Sequence, residues 1–548
     1  MKEGFRQCMA WLHTWTGLVV GWVLFFVFVT GTAGYFAYEI DRWMRPELPL
    51  AGHAGDSMPV APDKAVALAQ AYLQAHAQGA QDWSVQLPGQ RGSSSLSVTW
   101  RQPPAADAKP GTRGRFVRKT LDPMTGEAAA EPAVRKTGGG HLLYRMHYML
   151  HYVPYDVAIR LVGVCTMLML MAIVTGVITH KKIFADFFTF RPGKGQRSWL
   201  DAHNLISVTA LPFFLMITYS GLVFFLFQYM PAGIQASHYA GNTQAFYDDL
   251  LQRPVPGAPV GGTGAPVIAF APLVAQAEAQ WGAGQVARVS VQQPQAADAD
   301  VQVVRVAGSR IAGSERLRFD AHTGAPLDPR ADDGAARETQ DVMLALHEGR
   351  FAGPLLRWLY FASGLLGCAM IATGLVLWTA KRKLKQDKRA QAGEKPEFGF
   401  RLVECLNIGT IAGLPVAVAA YFWANRLIPA DFATRRDWEV HTMFITWGLL
   451  LLYPAFRAPL RAWVESLWLA AAAFALLPVL NALTTERHLG VSLPTGDWVL
   501  AGFDLTLLAL GACFAVAAHR VRRRQLRAAT AARAPATQAP LMAANAAG

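Results

Sequence analysis

The stretch "HTWTGLVVGWVLFFVFVTG", His13–Gly31, opens an apolar run on a histidine and closes it on a Thr-Gly step. The chain repeats the pattern in "HNLISVTALPFFLMITYSG", His203–Gly221, with histidine and glycine again 18 positions apart. A helix rises about 1.5 Å per residue, so about 20 apolar residues cross a hydrocarbon core of roughly 30 Å. Each stretch is long enough to do so, and each sets an imidazole at the mouth of a membrane helix. That placement needs a reason, and its recurrence needs a shared one.

The rest of the composition fits a membrane protein. Of 548 residues, 52% are hydrophobic and 16% charged, too apolar for a soluble chain of this length. The expected fold is an α-helical integral membrane protein of about eight spans, near Trp11–Tyr38, Ala158–Thr179, Leu205–Gln228, Leu355–Thr379, Leu402–Trp423, Thr442–Tyr453 with its flanks, Ala462–Leu483 and Trp498–Ala518. The first run starts like a signal peptide, yet it outlasts the usual apolar region of about 7–15 residues and no small-residue cleavage site follows, so it reads as a retained helix.

Lys and Arg set the expected orientation. "KKIFADFFTFRPGKGQR", "KRKLKQDKRAQ" and "HRVRRRQLR" fall on one side with the leader, which places both termini in the cytoplasm. The net charge of +13 is then a topology signal rather than a nucleic-acid patch. One loop dissents, because "NRLIPADFATRRDWE" carries three arginines on the outer side. The five cysteines lie in or beside spans, which implies no disulfide framework. The sequence has no C-x-x-C-H haem attachment, no C-x-x-C pair and no G-x-G-x-x-G loop.

The chain also repeats between its spans. Two polar segments, 41–140 and 231–340, follow the spans at 1–40 and 203–230 and precede those at 141–182 and 341–380. Each holds an Ala-rich helix, "PDKAVALAQAYLQAHA" or "FAPLVAQAEAQWG", then three alternating strands. The strands are "WSVQL", "SLSVTW" and "RFVRKTL" in the first segment, and "ARVSV", "VQVVRV" and "RLRFD" in the second. Both segments end in an Asp-led turn, "LDPMTG" or "FDAHTG". Cytoplasmic loops at 183–202 and 381–400, four C-terminal spans at 401–520 and a disordered cytoplasmic tail at 521–548 complete the expected plan. The unit of span, outward α+β domain and span thus occurs twice, which implies a pseudo-twofold axis along the membrane normal and a four-helix bundle around it.

That symmetry sorts the fourteen histidines. His13 and His203 fall at the inner ends of their helices, and His147 and His347 at the outer ends of the next spans. Each pair is placed to hold one metal centre, and a porphyrin iron clamped between two helices takes one imidazole from each side. The Thr-Gly and Ser-Gly steps at Gly31, Gly176, Gly221 and Gly374 leave room for a bulky ring or a close helix crossing. A lone interfacial histidine is more simply a headgroup contact, a reading that fits four symmetric ones less well. His151, one turn past His147, and His180, at the inner end of its span, are second choices as ligands.

With these residues the sequence resembles the PepSY-associated transmembrane family over roughly residues 1–385. The family includes iron-regulated inner-membrane proteins and haem-containing ferric-siderophore reductases. The matching features are the paired His-x17-Gly helices, the two "D-x-x-TG" ends and "LALHEGRFAGP" before the fourth span. The resemblance implies periplasmic PepSY-like domains, two b-type haems on His13, His203, His147 and His347, and reduction of a periplasmic ferric siderophore. The chain lacks the fused flavodoxin-like reductase of some relatives, so its electron donor is expected to be a quinol or a cytoplasmic reductase. A non-enzymatic PepSY sensor or inhibitor and an iron or siderophore transporter are the alternatives.

Further polar residues stand in or near apolar runs: Glu404, Asn407, His441, Glu465 and Asp504 in the C-terminal region. They mark a quinone pocket or helix packing, or reach water at a span's end. Arg145, Arg160, Arg350 and Arg357 lie near the outer histidines, as anchors at the interface or as partners for haem propionates or an anionic ferric chelate.

Overall fold

The structure, a computed structural model, describes residues 3–50, 60–88, 91, 95–103, 114–130, 133–180, 187, 190–229, 231–250, 266–306, 311, 315–327 and 335–533. The chain divides into two compact units. One comprises Met1–Arg135, Gly139–Gly374 and Val491–Val499, and the other Lys136–Gly138, Leu375–Gly490 and Leu500–Gly548.

Among the described residues six helices are long and apolar enough to cross a membrane: Gly4–Gly34, Tyr155–Thr179, Pro354–Gln391, Phe398–Leu427, Pro459–Thr484 and Trp498–Leu526. A seventh span forms if the bent pair Gln196–Thr209 and Leu211–Phe224 is counted as one. The pair turns by 68°, and Pro212 in the first turn of its second half is the chemical cause, since it cannot continue the helical ladder. The sixth expected span, Thr442–Tyr453 with its flanks, falls instead on the helix Arg435–Leu452 and the 3-10 turn Tyr453–Phe456, and the opening turns of that helix hold Arg435, Arg436, Asp437 and Glu439. Those charges shorten its apolar run below a full crossing.

The two polar segments do not fold as separate domains. Their strands join in one seven-stranded sheet: β1 Asp82–Gln86, β2 Ser97–Arg101, β3 Phe116–Thr120, β4 Val286–Gln292, β5 Asp300–Arg305, β6 Arg316–Asp320 and β7 Pro326–Leu327. The order is β3-β2-β1-β4-β5-β6-β7, antiparallel throughout. Apart from β7 the order reads the same from either side of the β1–β4 seam, where Ser84 faces Ser290 and Val85 faces Val289. Each segment alone would leave β1 or β4 as an open edge, and pairing the two edges satisfies both rows of amide groups.

The helices Pro62–His76 and Phe270–Trp281 cover one face and share one core with the strands, including Val66, Leu73, Val85, Val98, Phe270, Val289 and Val301. Gln70 ties the halves, donating to Ile268 O at 2.8 Å and accepting from Phe270 N at 2.7 Å. Both terminal turns form as their sequences suggest. Asp122 Oδ1 accepts Met124 N–H and Asp320 Oδ1 accepts Thr323 N–H, each at 2.7 Å, while Gly126 and Gly324 take φ of 77° and 72°. Hydrogen bonds from Thr323 and His322 hold the Asp320 carboxyl below its ordinary pKa.

Two expected loops and the tail are more helical than the sequence reading allowed. The basic run 381–391 continues the helix Pro354–Gln391, and Trp498–Arg533 extends well past residue 521. Lys and Arg are good helix formers, and cations favour a helix C-terminus. In the expected loop 183–202, the helix Gln196–Thr209 already starts at residue 196. Most of "KKIFADFF" and residues 534–548 lie outside the described residues.

The second unit is built on a buried polar network. Arg435 and Glu439 are fully buried and pair at 2.9 Å. Glu439 also accepts from Thr137 Oγ1 at 2.6 Å and Asn425 Nδ2 at 2.8 Å. Arg426 reaches Asn425 Oδ1 and Asn481 Oδ1, and Asn481 donates to Asp504 at 3.1 Å. Two of the three dissenting arginines are therefore buried structural cations, while Arg436 is exposed. Buried charges need this degree of partnering to be tolerated.

Candidate functional site

All four histidines are placed by one arrangement, built on the glycine of a neighbouring helix. His13 packs against Gly176, His147 against Gly31, His203 against Gly374 and His347 against Gly221. A methyl group on Gly176 or Gly221 would come within 3.0 Å of the facing Cε1, and on Gly374 within 3.2 Å. On Gly31 it would overlap the His147 ring. What each glycine admits is thus an imidazole, where the sequence had suggested a macrocycle or a bare helix crossing.

The carbonyl four residues before each glycine then meets the ring. Nδ1 of His13 lies 2.8 Å from Ala172 O and that of His147 2.8 Å from Val27 O. His203 and His347 stand 3.0 Å from Met370 O and Ile217 O. A carbonyl only accepts, so each contact fixes the proton on Nδ1 and leaves Nε2 unprotonated, the form that ligates a metal. Among the described residues no Nε2 of the four has a hydrogen-bond partner.

These rings meet in two pairs. The His13 and His203 centroids are 6.2 Å apart with planes at 62°, and those of His147 and His347 are 5.7 Å apart at 37°. Two imidazoles on opposite sides of one metal require roughly 6 Å, from two bonds of about 2 Å plus the distance of each nitrogen from its ring centre. Gly31 contacts His147, and His13 lies 18 residues earlier in the same helix. The pairs are therefore roughly 27 Å apart along that axis, close to the thickness of a hydrocarbon core.

An apolar cavity of about 320 Å³ adjoins the His147–His347 pair, lined in part by Leu24, Phe28, Ile159, Val162, Phe213 and Phe225. A flat apolar macrocycle is suited to such a wall. Tyr144 and Glu348 add polar groups and bond to each other at 3.1 Å. Glu348 sits directly after His347, which was the available sequence signal for it; Tyr144 gave none. Among the described residues no group of three or more His, Cys, Asp or Glu can hold a bare metal ion. A haem needs only two axial side chains, so the residues present fit that group.

The second-choice histidines are placed elsewhere. The helix Gly139–Tyr148 ends before His151, which lies in a turn against the Tyr152 ring and so leaves the face of His147. His180 Nε2 accepts from Asn204 Nδ2 at 2.8 Å. Arg350 pairs with Glu348, and Arg357 with Glu39 at 3.4 Å. Arg145 and Arg160 have no ion pair among the described residues. In the C-terminal region Glu404 pairs with Arg401 at 2.8 Å, Asn407 donates to Leu375 O at 3.0 Å, and Glu465 accepts from Tyr453. His441 stands against Trp438, and Asp504 is fully buried in the polar network. All five cysteines are free thiols.

A Pseudomonas aeruginosa protein described only as uncharacterized is 27% identical over 389 residues, which cover 68% of this chain and 92% of the relative. The family described as the PepSY-associated TM region matches residues 10–381, a range holding all four paired histidines and their glycines. The chain is a membrane protein that belongs to the PepSY-associated transmembrane family.

Proposed function

We propose that this protein is a di-haem transmembrane oxidoreductase that reduces ferric siderophores in the periplasm and releases Fe²⁺ for uptake. The supporting observation is the facing of four imidazoles in two pairs, each with Nδ1 bonded to a carbonyl and Nε2 left over. Haem b, when bound, supplies one-electron chemistry. His13 and His203 would hold one haem, and His147 and His347 the other.

The chain's own residues prepare these positions. Ala172, Val27, Met370 and Ile217 select the tautomer with their carbonyls, and the four glycines set how closely each imidazole approaches. The apolar wall beside His147 and His347 would shield a macrocycle held there from water. Arg145 and Arg160 are proposed partners for propionates or an anionic chelate, since arginine pairs well with carboxylates.

Loops rich in Lys and Arg support an inner-membrane location with cytoplasmic termini and a periplasmic sheet unit. The proposed donor is external, a quinol or a cytoplasmic reductase. One electron converts the bound ferric ion to Fe²⁺, which oxygen ligands hold less tightly, and the metal leaves the chelate. The sensor and transporter readings do not require facing imidazoles.

The test mixes dithionite-reduced protein with a ferric siderophore in a stopped-flow spectrometer and follows Fe²⁺ with ferrozine. Reoxidation with matching Fe²⁺ release is expected. Protein that holds haem yet stays reduced with every ferric chelate would contradict the substrate assignment.

A further inference from the structure

Each of the four glycines follows a Thr or Ser, and the four hydroxyls first do the same thing. Thr30 donates to Phe26 O at 2.8 Å, Thr175 to Met171 O at 2.7 Å, Ser220 to Met216 O at 2.6 Å and Thr373 to Ala369 O at 2.8 Å. A hydroxyl used as a donor keeps its lone pairs for accepting. The two repeats differ in whether an imidazole reaches those lone pairs.

In the second repeat it does. Ser220 Oγ lies 3.2 Å from His347 Nδ1, and Thr373 Oγ1 lies 3.2 Å from His203 Nδ1. In the first repeat His13 and His147 each have only their carbonyl, among the described residues. The carbonyl distances follow the same division, at 2.8 Å for His13 and His147 and 3.0 Å for His203 and His347. That lengthening suits a proton shared between two acceptors. Every facing pair therefore joins one singly bonded imidazole from the first repeat to one doubly bonded imidazole from the second.

We infer that Ser220 and Thr373 are positioning residues, each acting through its imidazole to lower the reduction potential of one centre. The inference rests on the two-haem reading. An acceptor at Nδ1–H fixes the ring and makes Nε2 a stronger electron donor, which favours the oxidised metal. Removing the hydroxyl should make that centre easier to reduce. Among the described residues Thr30 and Thr175 occupy the equivalent places without a hydrogen bond to a ring, so they are internal controls for the loss of a helix back-bond.

The experiment is a spectroscopic redox titration of the purified full-length protein and its Ser220→Ala, Thr373→Val, Thr30→Val and Thr175→Val variants, with haem content measured alongside. Ser220→Ala should raise the potential of the His147–His347 centre, and Thr373→Val that of the His13–His203 centre. The expected change is roughly threefold to tenfold in the reduced-to-oxidised equilibrium, or about 28–59 mV at about 59 mV per tenfold for one electron. The first-repeat variants should shift neither centre, and Ser220→Thr should restore the parent value. Wild-type protein without haem would overturn the two-haem reading and this inference with it. Two intact haems whose potentials ignore Ser220→Ala and Thr373→Val, or respond equally to Thr30→Val and Thr175→Val, would overturn the inference alone.

Discussion

His13 and His203 stand inside the helices Glu3–Gly34 and Gln196–Thr209, whereas His147 and His347 occupy the last turns of Gly139–Tyr148 and Ala335–Glu348, each of which stops before a proline-led span. The supports even differ within a pair, because Glu3–Gly34 is continuous while its counterpart breaks and bends by 68°. All four rings nevertheless meet a glycine and the carbonyl four residues before it. The receiving helix, more than the helix that carries the histidine, specifies where each imidazole goes. A glycine change should therefore disturb a centre as specifically as a histidine change does.

The largest expected effect separates the pairs outright. His13→Ala or His203→Ala should lose one haem of two, and His147→Ala or His347→Ala the other, as read by haem-to-protein ratio and optical spectrum. Should any single change remove both haems from folded protein, the pairs are not independent.

The next effect arises in the C-terminal unit. Glu439→Ala strands the Arg435 cation and unbinds Thr137, and breaking a buried pair this way costs about 3–5 kcal/mol. Residues 136–138 run straight into the helix that carries His147. Denaturant unfolding should show the loss, and the spectrum of the His147–His347 centre should change before that of the other. An unchanged midpoint would contradict the structural role of the network.

A smaller, graded effect comes from the glycines. Gly31→Ala should be the most damaging of the four alanine changes, with overpacking of about 1–3 kcal/mol, and Gly374→Ala the least, following the clearances at each site. Haem retention during thermal melting would rank them. An order unrelated to clearance would separate the glycines from the histidines.

The smallest effect is a control in the sheet. Asp320→Ala removes an acceptor of turn N–H groups, for a loss of about 1 kcal/mol, and should alter neither centre. The folded pKa of Asp320 lies below its ordinary value of about 3.9. Its contribution is therefore complete above that value and is lost as pH falls through the lower, folded one. Asp320→Asn should flatten that part of the acid unfolding curve measured by circular dichroism.

Much of this was legible in the sequence because it is local or repeated. Alternation gave all six principal strands, Asp and Gly gave both terminal turns, and the symmetry of the repeat gave the facing pairs of histidines. The β1–β4 seam was not legible, since each segment already reads as a complete α+β unit and nothing marks Ser84 as facing Ser290. Spacing also could not show that the glycines face imidazoles on other helices, nor that the helix would end before His151. The arginines in "NRLIPADFATRRDWE" misled for a related reason. Charge counting treats them as solvent-facing, whereas Arg426 and Arg435 are buried in the polar network of the second unit, Arg426 on two asparagine oxygens and Arg435 on Glu439.

On the proposed reading, His13 with His203 and His147 with His347 hold two bis-imidazole haems. The most direct test of that reading is the reduced-minus-oxidised spectrum and low-temperature EPR of purified full-length protein, with haem extracted by acid-acetone and counted against protein. Two extractable b-type haems per chain, both low-spin with bis-imidazole signals, is the predicted result. Colourless protein from haem-sufficient cells, or haem that survives replacement of all four histidines, would contradict it.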